Sequence, residues 1–272
     1  MVMAAEGPVL ERVAPSFGAR RPEVRRRTTI VDRLLFLALL GAGLNLLLWR
    51  AGMLPFVGAA GWALFAVETL TVVWMLGSTL LFTGRTVPVE RGPEPLPGTT
   101  LDILIPVAGE PLDMVERTIR AAQAIDWPAR IIVCNDGWMA GSPEWQDIER
   151  LAARLGVECL TRTNGPKGKA GNLNNALPHV RADAILILDA DHQVVPDVAQ
   201  QTLGYLRYDD VAFVATPQEF VGSSTDVLNP TEPVFYKATQ PARDRHGLAF
   251  STGNGVVYRR EAIMRIGGFS EW

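Results

Sequence analysis

Two cysteines in 272 residues, Cys134 and Cys159, are too few for a disulfide framework or a four-cysteine zinc site. Both fall in apolar runs that read as buried strands, which points to a reducing compartment. The sequence also lacks an excess of charge of either sign. Lys and Arg total 26 against 29 Asp and Glu, a formal net charge of -3. That balance argues against nucleic acid as a partner. In one region charge is nearly missing. Between Leu34 and Phe82 only Arg50 and Glu68 are charged among 49 residues, while the other 223 residues carry the remaining 53 charges. The average composition therefore conceals a membrane segment joined to a soluble domain, and the length suits about two structural units.

Leu34 to Trp49 is an apolar run broken only by Asn45, and Phe56 to Phe82 is a second. Each reads as a helix crossing a hydrocarbon layer about 30 Å thick. Extending the first span back to Ile30 takes in Asp32 and Arg33, so the sequence leaves its start open. The Gly and Pro of Arg50-Ala51-Gly52-Met53-Leu54-Pro55 favour a tight turn, giving a transmembrane hairpin over residues 30–83. Arg20, Arg21, Arg25, Arg26, Arg27 and Arg33 precede the first span, and the turn holds only Arg50. The positive-inside rule then puts the N-terminus in the cytoplasm, and the hairpin returns the chain there. Residues 1–29 read as a basic disordered tail near anionic lipid. Gly41-Ala42-Gly43-Leu44 is a poor match to a cleavage site, which counts against a signal peptide. Glu68 is costly in lipid. It either faces other helices or a water defect, or it belongs to a polar pathway.

Residues 84–99 hold four prolines and read as a linker to a domain over 100–272. There, short apolar runs alternate with helical periods: strands over 101–105, 130–134, 157–160, 184–188 and 211–215, and helices over 112–125, 143–155, 170–177 and 196–206. This alternation predicts an α/β, Rossmann-like fold with a mostly parallel sheet. In such sheets ligands bind outside the carboxyl ends of the strands. Three acidic clusters follow strands: Pro106-Val107-Ala108-Gly109-Glu110-Pro111, Asn135-Asp136-Gly137 and Asp189-Ala190-Asp191-His192. Carboxylates gathered at one edge need cations, and Lys167 and Lys169 open a helix on the same side. Such a site suits a metal ion together with a phosphorylated ligand.

Asp189 and Asp191 carry the sharpest signal. Residues i and i+2 of a strand point the same way, so both carboxylates reach one oxygen-preferring divalent cation. The apolar run Ile185-Leu186-Ile187-Leu188 just before them fixes the pair at a sheet edge. Asp136 is weaker evidence, since Asn-Asp-Gly is also an ordinary turn.

These motifs, followed by Lys169-Ala170-Gly171-Asn172-Leu173-Asn174, Thr216-Pro217-Gln218, and Gly253 to Arg260 with Gly267-Gly268-Phe269, come in a familiar order. The chain from Leu101 to Phe269 resembles the processive family 2 glycosyltransferases, nearest to cellulose-synthase-like membrane enzymes. The resemblance implies a GT-A fold that binds a UDP-sugar with Mg²⁺ or Mn²⁺ and transfers the sugar, with inversion, to a growing glycan acceptor. Site residues are implied position by position. Asp136 would face the uridine, Lys169 the diphosphate, Asp189 the nucleotide sugar, and Asp189 with Asp191 the metal, with Glu110 a further substrate-binding residue. Thr252, Gly253 and Asn254 stand where the family faces its acceptor. Gln240 and Asp244 fall in the helix before them, equally well read as a polar helix face.

The departures from the family pattern are as informative. Val107, Ala108 and Gly109 replace a Thr-Tyr-Asn stretch that supplies polar contacts, Asn135 replaces the first of two aspartates, and Glu219 to Ser224 replaces an aromatic and Asn-Pro pattern. The family's general base lies in a Thr-Glu-Asp motif beyond Gly-Gly-Phe, and no residue up to Trp272 matches it; Glu271 is near in number only. The expectation is an incomplete glycosyltransferase domain on a multi-pass plasma-membrane protein, with the domain cytoplasmic and this polypeptide by itself inactive. The alternatives are an inactive sugar-nucleotide-binding or scaffolding subunit, and a non-processive transferase acting on a lipid carrier.

Overall fold

Thr29 and Asp32 start the first helix by capping one another. The Asp32 N–H donates to Thr29 Oγ1 at 3.2 Å, and the Thr29 N–H donates to Asp32 Oδ2 at 2.7 Å. This capping box places the start of α1 (Ile30–Met53) upstream of the apolar run. The computed structural model describes residues 26–54, 58–82, 85–86, 93–166, 168–219 and 235–271. The tail up to Arg25, Pro55 in the predicted turn, Lys167, the Phe220 to Ser224 part of the departing loop, and Trp272 lie outside the described residues.

The second apolar helix, α2, spans Ala59–Phe82. At about 1.5 Å per residue each helix is about 36 Å long, enough to cross a bilayer core. Their side chains stay largely uncovered: Leu34, Leu48, Leu70 and Trp74 are each at least 60% exposed. The two charges of the region find each other. Arg50 donates to Glu68 Oε1 through Nε at 3.1 Å and through Nη2 at 2.5 Å. A third helix is therefore not needed to explain how Glu68 is tolerated. The hairpin also brings its flanks together, where β1 (Arg26–Arg27) pairs antiparallel with β2 (Arg85–Thr86). That pairing joins residues 26–27, before α1, to residues 85–86, after α2.

The rest of the chain builds a six-stranded sheet from β3 (Leu101–Val107), β4 (Ala129–Asn135), β5 (Glu158–Thr161), β6 (Ala184–Ile187), β7 (Phe213–Ala215) and β8 (Val256–Arg259), in the order β5-β4-β3-β6-β8-β7. β3 pairs in parallel with β4 and β6, and β4 with β5. β8 runs against both β6 and β7. The helices are α3 (Leu112–Gln123), α4 (Gly137–Ala140), α5 (Trp145–Leu155), α6 (Gly168–Ala176), α7 (Val198–Thr202), α8 (Gln240–Asp244) and α9 (Arg260–Arg265). They cover both faces. Ile103, Ile105 and Val107 pack with Val115 and Ile119 of α3, Ile148 and Leu151 of α5, and Val198 of α7. On the other face Leu104, Ile132 and Ile187 meet Leu173 of α6 and Ile263 of α9. Alternate residues of one strand serve two cores, which is why β3 is buried at every position. Full burial of one such Ile or Leu is worth about 1.5–3 kcal/mol.

The predicted helix over 196–206 is two pieces, α7 followed by a tighter 3₁₀ turn over Leu203–Arg207. β8 and α4 have no counterpart in the periodicity, being four residues each.

Buried Asp102 fixes the opposite, amino end of the sheet. It accepts from Arg130 through Nε at 3.0 Å and Nη2 at 2.6 Å, and from the Arg181 N–H at 2.9 Å. Burial pushes its pKa up, but the Arg130 hydrogen bond and the Arg181 and Ala182 N–H groups outweigh burial and leave the carboxyl below its usual value.

Candidate functional site

The parallel strands all present their carboxyl ends at one rim, so Glu110, Asp136 and Asp189 follow β3, β4 and β6 there. Thr252, Gly253 and Asn254 reach the same rim from the other direction. They precede β8, and because β8 is antiparallel its amino end lies beside the carboxyl end of β6. The Asp189 N–H donates to Asn254 Oδ1 at 2.8 Å, and the Gly255 N–H donates to the Ile187 carbonyl at 2.9 Å. Gly253 and Gly255 both have positive φ, 79° and 60°, a conformation open to glycine at little cost. That turn aims the Gly253 carbonyl at the site.

Lys169, one residue into α6, extends its ammonium to the Asp189 carboxylate and donates to the Gly253 carbonyl at 2.6 Å. Three segments distant in sequence are thereby joined at one cation. Asp189, Asp191 and His192 each offer one potential ligating atom, all within 4.8 Å of one another, and the His192 Nδ1 lies 2.6 Å from Asp191 Oδ1. Two carboxylates and an imidazole form a donor set that fits a divalent cation. Neither cysteine competes as ligand or nucleophile. Burial pushes the Cys134 thiol far up and the Cys159 thiol to about 11, so both stay protonated at neutral pH.

The other predicted residues sit less openly. Asp136 is 5% exposed, and its carboxylate is held from two sides by Arg162, Nε to Oδ1 at 2.6 Å and Nη2 to Oδ2 at 2.8 Å. The Glu110 carboxylate accepts the Ala108 N–H of its own loop at 2.6 Å. Asn254 is 4% exposed and its carbonyl accepts from Gln218 Nε2 at 3.0 Å, so its side chain braces Asp189 from beneath. The Thr252 hydroxyl is half-buried in the same turn, 3.4 Å from the Asn254 carbonyl. Asn135 turns inward, its amide donating to the Trp145 carbonyl at 2.8 Å. Arg162 and His192 had no role in the sequence reading. The signal for Arg162 was present, since it is the first residue after β5 and so lies at the same rim.

Comparison with known proteins gives the family and the fold. The model of the family described as glycosyl transferase family 2 matches residues 102–267. The chain belongs to glycosyl transferase family 2. Among curated relatives, the cellulose synthase 1 catalytic subunit (UDP-forming) of Komagataeibacter xylinus is 32% identical over 200 residues, covering 67% of this chain and 26% of the relative. The cellulose synthase catalytic subunit (UDP-forming) of Pseudomonas fluorescens (strain SBW25) is 34% identical over 196 residues, 68% of this chain and 26% of that protein. The chain thus spans about a quarter of these family 2 relatives. Among solved structures, a mannosyltransferase from Pyrobaculum calidifontis in complex with GDP-Man and Mn²⁺ superposes with a TM-score of 0.51 at 19% identity, covering 89% of this chain and 59% of that one. At that identity the likeness concerns the fold, which is the GT-A type that the family resemblance implies.

Proposed function

We propose that this chain is the donor-binding part of a membrane-bound, inverting glycosyltransferase that passes a sugar from a UDP-sugar to a growing glycan, as in cellulose synthesis. The observation that carries the reading is Lys169, whose ammonium joins the Asp189 carboxylate to the Gly253 carbonyl beside Asp191. Sugar transfer leaves negative charge on the departing diphosphate. A cation placed for that charge stabilises the transition state more than the ground state. In this reading Lys169 contacts the diphosphate, and Asp189 turns from Lys169 toward the nucleotide sugar and shares the metal with Asp191. Mg²⁺ or Mn²⁺, when bound, supplies a second positive charge against the leaving diphosphate. Asp136 borders the uridine, Glu110 belongs to the substrate-binding set, and Thr252, Gly253 and Asn254 border the acceptor. The acceptor hydroxyl's proton must pass to a general base, which in the resembling family is a carboxylate.

In the same reading residues 30–83 form the membrane hairpin, 84–99 the linker and 100–272 the transferase domain at the cytoplasmic face of the plasma membrane. The exposed apolar surface of α1 and α2 supports the bilayer as a partner. The printed names of the relatives, UDP-forming cellulose synthases, and the GDP-Man and Mn²⁺ of the mannosyltransferase support a nucleotide sugar and a divalent cation.

Calorimetry on the full chain in detergent, with UDP, UDP-glucose and UDP-N-acetylglucosamine in the presence and absence of Mn²⁺, tests the proposal. Metal-dependent binding of UDP and of at least one UDP-sugar is expected. Flat titrations with all three ligands in Mn²⁺ reject it.

A further inference from the structure

Arg162 is 4% exposed and makes more contacts than an ion pair requires. Its guanidinium is a planar fork of five donors, and the pair with Asp136 leaves some of them to spare. The others go to the loop that opens α6. Nη1 donates to the Pro166 carbonyl, and Nη2 donates to the Gly168 carbonyl at 3.3 Å. Lys169 is the next residue, and its ammonium is already engaged by Asp189 and Gly253. Polar contacts therefore run from Asp136 through Arg162 to the Gly168 carbonyl, and the adjoining residue, Lys169, makes those to Asp189 and Gly253. Gly171 permits the arrangement from the α6 side. A Cβ there collides with the Pro166 carbonyl and comes within 3.1 Å of Arg162 Nη1.

A cation needed only to neutralise Asp136 has no reason to reach two neutral carbonyls. Arg meets both demands because its donors diverge in a rigid plane, whereas the single ammonium of Lys is a point charge. We propose that Arg162 is a positioning residue. It ties Asp136, on the nucleoside side of the rim, to the loop bearing Lys169, and so sets where the ammonium meets the second phosphate of a nucleoside diphosphate. The inference rests on the donor-binding reading above.

The test compares UMP with UDP, both with Mn²⁺, by calorimetry on the full chain in detergent. The ratio of the two affinities reads the contribution of the second phosphate. Arg162→Lys keeps a positive charge beside Asp136 but loses the carbonyl contacts. UDP affinity should fall about 10-fold and UMP affinity change by less than about 2-fold, so the ratio collapses. An Arg162→Lys protein that melts as wild type and keeps the wild-type ratio overturns the proposal. Gly171→Ala crowds the Pro166 carbonyl of the same loop while keeping both Arg162 and Asp136 in the chain, and it is read in place of Arg162→Lys if that variant unfolds. It should lower the ratio in the same way, and an unchanged ratio overturns the proposal. Wild-type protein that binds neither nucleotide in Mn²⁺ is a separate result, which rejects the donor-binding reading and this inference with it.

Discussion

The Asp189 N–H is held by Asn254 Oδ1 at 2.8 Å, across 65 positions of sequence. One side chain thus fixes the backbone from which both predicted metal-binding aspartates project. Asn254→Ala removes the acceptor and leaves the Asp189 N–H without it in a half-buried site. Stability should fall by about 1–3 kcal/mol, with a matching loss of Mn²⁺-dependent UDP affinity. Urea unfolding and calorimetry measure the two. A variant that loses neither shows that the brace is dispensable.

The Asp191 carboxylate lies within 4.8 Å of the potential ligating atoms of Asp189 and His192. Asp191→Ala should erase the difference between UDP titrations run with and without Mn²⁺, while the metal-independent part of the affinity survives. An unchanged difference places the cation elsewhere.

Arg50 and Glu68 are the only charges between Leu34 and Phe82, and they are paired. Glu68→Ala strands the Arg50 guanidinium beside an apolar helix. Arg50 lies in the last turn of α1, toward the interface, so the cost is below the about 2.5–3.5 kcal/mol of a charge at the bilayer centre. Arg50→Leu combined with Glu68→Leu removes both charges and should recover most of that loss. Thermal unfolding in lipid nanodiscs of the single and double variants checks this. A double variant as unstable as Glu68→Ala would show that the ion pair is not what holds the hairpin.

Asp102 titrates below the ordinary carboxylate value of 3.8, held there by Arg130 and the Arg181 and Ala182 N–H groups against the opposing effect of burial. A depressed pKa means that the unfolded chain binds the proton more readily. The stabilisation from Asp102 is therefore present above pH 3.8 and lost as pH falls below it. Asp102→Asn should lower stability at pH 7 by about 1–3 kcal/mol and flatten the acid limb of the stability curve. Denaturant midpoints between pH 7 and about pH 3 follow both effects. A variant whose acid limb parallels wild type excludes Asp102 as a contributor.

Much of the fold could be read before any coordinates. Ile185 to Leu188 is a short apolar run closed by Asp189, and period and length are enough to make such a run a buried strand. β8 was missed for the opposite reason. Val256–Arg259 is four residues long, follows a turn rich in glycine, and has no partner near it in sequence. Its antiparallel placement between β6 and β7 is decided by distant pairing. The start of α1 was open because hydropathy counts Asp32 against a span, whereas the capping box uses it to begin one. Asp136 could be placed at the rim from its position after β4, but its ion pair with Arg162 could not. Arg162 belongs to a different strand end, 26 positions later.

The sequence by itself determined which side chains stand at the carboxyl ends of strands and which segments are apolar enough to cross a membrane. Both properties are local: they depend on the order of polar and apolar residues over one element. Only the tertiary structure decided which of those side chains meet. Lys169 faces Asp189, Arg162 takes Asp136, Asn254 braces Asp189, and Glu68 finds Arg50, each through packing that joins segments remote in the chain. Those pairings follow from sheet order, strand direction and helix contact, which no local pattern encodes.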